Sequence, residues 1–131
     1  MRLFVAFCLL GTVSLFGDPN WVSSYTKAFE KAKEQEKGVM IMLSKDNCDA
    51  CWYMENIVLE DDILVEKIEK GFIPLSLDVN DDDIHGLSFS ETPTFYFLDS
   101  SEGTIKRLDG VFNIKELTAA LLKIEPAEEG R

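Results

Sequence analysis

The chain is poor in the residues that build metal sites and stiffen loops, with one histidine, four prolines and three cysteines. It is also poor in positive charge: 13 lysine and arginine side chains stand against 24 aspartates and glutamates, a formal net charge of −11. That balance argues against nucleic acid or anionic lipid as a partner, since both would be repelled. A closed zinc site takes four ligands, normally cysteine and histidine, and beyond its first seventeen residues the chain offers only two cysteines and one histidine, His85. A covalent haem site needs histidine directly after the second cysteine of a CxxC pair, where this chain has Trp52. There are no internal repeats, and no apolar run long enough to span a membrane follows the amino-terminal segment.

That segment, MRLFVAFCLLGTVSLFG, has Arg2 near its start, an apolar stretch from Leu3 to Leu10, and small or weakly polar residues up to Gly17. This is the pattern of a secretory signal peptide. The expected organisation is therefore a signal peptide over 1–17, one domain over 18–125, and a short mobile tail over 126–131, with the mature protein in the periplasm or otherwise exported. Cleavage would remove Cys8 and leave Cys48 and Cys51. A disulfide between positions three apart closes a loop too small to restrain the unfolded chain much, so the spacing points to chemistry and not to a structural staple.

Periodicity gives the element order α, β, α, α, β, β, β, α. Trp21, Tyr25, Ala28, Phe29 and Ala32 recur on one helical face, with Asp18 and Pro19 at its start and Gly38 at its end. Val39 to Leu43 is a short continuous apolar run, as expected of a strand buried on both faces. From Cys48 the positions Cys51, Met54, Ile57 and Val58 recur at helical spacing, with Glu55 and Asn56 facing away. A further helix begins near Asp61 or Asp62, turns Leu64, Val65 and Ile68 inward, and stops at Gly71. FIPLSLDV reads as a strand, with Pro74 placing part of it off the ladder. TPTFYFLD reads as another strand, SSEG as a turn, and TIKRL as an edge strand. Asn113 and Glu116 form a cap for a last helix burying Ile114, Leu117, Leu121 and Ile124.

A cysteine in the first turn of a helix meets unpaired backbone N–H groups and the positive end of the helix dipole, both of which favour thiolate. Cys48, directly after a buried strand, is placed for this. Cys51 lies on the same side of that turn, within disulfide reach. Cys48 is thus the candidate nucleophile and Cys51 the resolving thiol that breaks a mixed disulfide from within. Copper(I) held between the same two thiolates is an alternative, as is a redox-inert adaptor that binds peptides.

Four segments, AFEKAKEQEKGVMIML, CDACWYMEN, GFIPLSLDVND and TPTFYFLDSSEGTIKRLDG, give the chain from Trp21 to Ile124 its resemblance to the thioredoxin-like superfamily, and more closely to its exported branch. The resemblance implies an α/β sandwich, a central mixed sheet flanked by helices. It implies a thiol:disulfide oxidoreductase acting on protein disulfides, a monomer with no cofactor, supplied with electrons by a membrane thiol transporter. On the same resemblance Pro93 is a cis proline beside the disulfide and Thr92 offers backbone groups to an extended substrate. Asp49, Ala50 and Trp52 then border the substrate groove. Departures stand beside it. Asn47 occupies the place of the tryptophan that thioredoxins carry before the first cysteine, and Met42 the place of their buried aspartate. Asp49 puts a negative charge beside the forming thiolate, which makes the disulfide less oxidising and favours a reductase or isomerase over a disulfide-forming oxidase.

Among the remaining residues, His85 reads as a surface histidine. Asp78 with NDDD follows the start of a calcium loop, but Asp83 replaces the needed glycine and Phe89 the closing glutamate, so a solvated loop is expected. Trp52 and Tyr53 serve equally as a rim for polypeptide partners or as helix packing. Asp99 and Asp109 read as turn residues.

Overall fold

The protein is described by a computed structural model covering residues 19–124, so the expected signal peptide and tail lie outside the described residues. Its elements are α1 (Tyr25–Gln35), β1 (Gly38–Ser44), α2 (Asp49–Asn56), a 3₁₀ turn (Val58–Glu60), α3 (Asp62–Gly71), β2 (Phe72–Asp78), β3 (Thr94–Leu98), β4 (Thr104–Asp109) and α4 (Ile114–Lys123). The sheet runs β2-β1-β3-β4, with β1 and β2 parallel and the other pairs antiparallel. This is the expected α/β sandwich with a mixed central sheet.

β1 is central, and its apolar run divides by the two-residue period of a strand. Met40 and Met42 face a core built with α2, α3 and α4, including Cys51, Met54, Leu64, Ile68, Phe95 and Leu117. Val39, Ile41 and Leu43 face a second core with Ala28, Phe29, Ala32, Leu75 and Tyr96. Gly38 opens the strand where a Cβ would overlap the Leu98 carbonyl oxygen and lie 2.8 Å from the Phe72 ring. Among the described residues, no helix is long and apolar enough to cross a membrane.

Several local expectations are corrected. α1 starts at Tyr25 because Ser24 caps it, its hydroxyl accepting from the Lys27 N–H at 3.1 Å. The preceding residues are extended: the Val22 N–H donates to the Pro74 carbonyl at 2.9 Å and Val22 bridges Leu75, so Trp21 shares no helical face with Tyr25 and packs on the opposite core. α1 ends at Glu36, in the left-handed region, leaving Gly38 to the strand. Pro74 stays within the ladder, paired with Met40. Its carbonyl points outward to Val22, and in a strand the nitrogen of the same residue points the same way, so the ring removes no β1–β2 hydrogen bond. Ile57 and Ile114 are exposed, each at a helix end where the buried stripe has already turned away. Asp109 closes β4 and does not lie in a turn, whereas Asp99 accepts the N–H groups of Ser101 and Gly103 within one.

Candidate active site

β1 ends at Ser44, and the next turn carries the chain to α2. Asn47 adopts φ 55°, in the left-handed region that asparagine tolerates better than most residues. That reversal leaves Cys48 extended at the N-cap of α2, where its sulfur accepts the Cys51 N–H at 3.1 Å. Cys48 is thus the capping group of its own helix, its sulfur replacing the oxygen of a serine or aspartate. Cys48 and Cys51 form a disulfide with Cα atoms 5.2 Å apart. The two sulfurs differ in access: Cys48 is half-buried and Cys51 is 3% exposed. Only the first is open to attack by, or on, a large partner.

Facing the pair is the loop that leads into β3. The Thr92–Pro93 peptide bond is cis. The Thr92 hydroxyl oxygen lies 3.4 Å from the Cys48 sulfur and the Thr92 carbonyl oxygen 3.6 Å from it. The loop is held from behind. The Gly110 N–H donates to the Pro93 carbonyl at 2.9 Å, and the buried Thr94 hydroxyl donates to the Glu91 carbonyl at 2.7 Å. Further back, the Tyr96 hydroxyl donates to the Ser88 carbonyl at 2.6 Å, and Arg107 donates to the Ser88 hydroxyl at 3.1 Å. Thr92 itself is left with its N–H unpaired among the described residues.

Cys48, Cys51, Thr92 and Pro93 are therefore brought together. Asp49, exposed, and Ala50, half-buried, lie between the cysteines in the first turn of α2, and Trp52 follows with 59% of its surface exposed. Met42 is fully buried in the core that holds Cys51, so the position of the thioredoxin aspartate is filled by a thioether that cannot take a proton. One carboxyl was missed by helical periodicity. Glu55, expected to face away, is only half-exposed one turn beyond Cys51, and this burial raises its carboxyl above the ordinary glutamate range. The acidic loop also approaches the site: the carboxylates of Asp46, Asp78 and Asp81 gather within 4.8 Å of one another. The spacing of NDDD does not foretell this, because Asp46 joins through the parallel pairing that sets Ser44 opposite Asp78. His85 lies elsewhere, stacked on Tyr25 with ring centres 3.7 Å apart.

Residues 25–125 match the family model of the thioredoxin-like domain. The chain belongs to that family. A thioredoxin from Thermus thermophilus is 26% identical to this thioredoxin-like domain, covers 86% of this chain and 88% of its own, and superposes with a TM-score of 0.68. The disulphide isomerase from Xylella fastidiosa Temecula1 is 17% identical, with 76% of this chain and 86% of its own covered and a TM-score of 0.61. The oxidised C-terminal domain of DsbD from Neisseria meningitidis is 16% identical, with 76% and 90% covered and a TM-score of 0.61. The last two likenesses show the fold alone. An uncharacterized protein of Borreliella burgdorferi is 25% identical over 119 residues, which take in 81% of this chain and 49% of that protein. The thioredoxin-like domain thus spans about half the length of the curated relative it matches.

Proposed function

We propose that this domain is an exported thiol:disulfide oxidoreductase that reduces or isomerises protein disulfides through Cys48 and Cys51. The observation that carries the reading is the asymmetry of the pair. A half-buried sulfur caps a helix beside Thr92 and Pro93, and a buried partner sulfur stands one turn below it. In the reduced state the Cys48 thiolate bonds one sulfur of a substrate disulfide and the other sulfur departs with the electron pair of the broken bond. The Cys51 thiolate then bonds Cys48 and releases the first substrate sulfur. Each departing thiolate takes up a proton, so the substrate gains two electrons and two protons and the domain loses as many. The unpaired Thr92 N–H and the neighbouring Thr92 carbonyl suit an extended substrate strand alongside Cys48. Asp49, Ala50 and Trp52 border the same groove.

Support for the reductive direction comes from Asp49, whose charge beside the helix start opposes the thiolate and so lowers the oxidising power of the disulfide. Support for export comes from the composition of residues 1–17. A reductase outside the cytoplasm needs electrons brought across the membrane, which makes a membrane thiol transporter the matching donor.

The test is a trap. With Cys51→Ala the second displacement cannot occur, so Cys48 should accumulate as mixed disulfides with substrate proteins, visible as mass increments that dithiothreitol removes. Cys48→Ser in the same background should abolish them. Absence of adducts from the Cys51→Ala domain expressed in an exporting cell would refute the reading.

A further inference from the structure

We infer that this domain selects disulfide partners bearing positive charge next to their cysteines, a proposal that rests on the oxidoreductase reading above. The register of the sheet shows why charge collects at the site. β1 and β2 are parallel, so Ser44 and Asp78 end side by side at the edge from which the chain runs into Cys48. β3 starts at that edge, with Thr94 beside Leu43, and β4 finishes there, with Asp109 opposite Thr94. The strand ends and connections at this edge lie on the side of the sheet that holds the disulfide, and they carry Asp46, Asp49, Asp78, Asp81, Glu91 and Asp109.

Most of these carboxylates are exposed, and three converge: those of Asp46, Asp78 and Asp81 lie within 4.8 Å of one another. Glu91, two residues before Pro93, holds its carboxylate over Gly110, 3.1 Å from where a Cβ would sit. Positive charge at this edge is already engaged or outnumbered. Arg107 is bound to Asp109 at 2.7 Å, and Lys45 and Lys115 are fewer than the carboxylates around them. The opposite edge is mixed, with Glu36 and Lys37 before β1, Glu69 and Lys70 at the end of α3, and Asp99 and Glu102 in the turn between β3 and β4. A field of one sign around a reactive sulfur raises the local concentration of oppositely charged partners and turns away like-charged ones. A second feature points the same way: Trp52, 59% exposed and directly after Cys51, offers the aromatic face that holds cations best.

The reduced domain should be mixed with three small disulfides: cystamine, positive at both ends; hydroxyethyl disulfide, neutral; and dithiodipropionate, negative at both ends. Each rate is divided by that of uncharged dithiothreitol with the same disulfide, which removes intrinsic differences in reactivity. The normalised rate for cystamine should exceed that for dithiodipropionate by about tenfold at low ionic strength, and the ratio should collapse as salt screens the field. Asp46→Asn combined with Asp81→Asn should narrow the ratio at low salt. Equal normalised rates, or a ratio indifferent to salt and to the double substitution, would overturn the charge proposal while leaving the oxidoreductase reading intact. Failure to reduce even hydroxyethyl disulfide would overturn both.

Discussion

Thr92→Val isolates one interaction at the reactive sulfur. The substitution keeps the shape of the side chain and removes the hydroxyl 3.4 Å from Cys48, while the Cys51 N–H at 3.1 Å is untouched. A hydrogen bond to a charged group contributes about 1.5 to 3 kcal/mol, and at a half-buried sulfur the lower end applies. Losing about 1.4 kcal/mol of thiolate stabilisation lowers the thiolate fraction about tenfold at any pH where the thiol predominates. At pH where the thiolate predominates, the same loss, expressed through the two-electron couple, moves the reduction potential about 30 mV more negative, because the reduced form is the one weakened. Iodoacetamide alkylation of the reduced domain across a pH series, with thiolate absorbance followed in parallel, measures the first effect. Equilibration with dithiothreitol measures the second. An unchanged thiolate titration together with an unchanged potential would show that the Thr92 hydroxyl does not act on Cys48.

Other expectations concern the frame and its response to pH. Gly38→Ala should destabilise the fold by about 2 kcal/mol, since the new Cβ meets the Leu98 carbonyl and the Phe72 ring within a packed sheet; urea unfolding measures it. Asn113→Ala removes the side chain that accepts the Glu116 N–H at 2.8 Å and half of a reciprocal cap on α4, at a cost of about 1 kcal/mol by the same assay. Glu55 has its carboxyl raised by burial, so the folded state holds that proton more tightly than the unfolded chain. Its contribution is fully present below the unfolded value and is lost as pH rises through the folded one, leaving the charged form to weaken the fold at neutral pH. Glu55→Gln should therefore unfold at higher urea than the parent at neutral pH, with the difference vanishing in acid; a pH-independent difference would contradict the burial argument.

The elements that sequence made legible are those whose side chains follow a period or a cap. The unbroken run Val39 to Leu43 fits the strand buried on both faces that β1 is, and Asn113 with Glu116 marks the start of the last helix to the residue. Trp21 was misplaced because its spacing to Tyr25 fits a helix equally well, and only the tertiary bridge from Val22 to β2 holds it extended. Glu55 was misjudged for a related reason: a polar residue on a short helix is assigned outward, while its actual exposure depends on neighbours that periodicity does not see. At the site, the nearness of Thr92 to Cys48 rested on family resemblance, because forty-four positions separate them and nothing local in either segment signals the contact. The gathering of Asp46 with Asp78 needed the strand register, which turns two distant loops into neighbours.

The proposed function requires Cys48 and Cys51 to form a reversible redox pair poised for reduction. Equilibrating the domain with graded ratios of oxidised and reduced dithiothreitol, and counting its free thiols, gives the reduction potential directly. A single two-electron transition near that of thioredoxin, about −270 mV, is the result expected of a reductase. A pair that does not exchange reversibly, or one poised near the about −120 mV of a strong oxidant, would contradict the account.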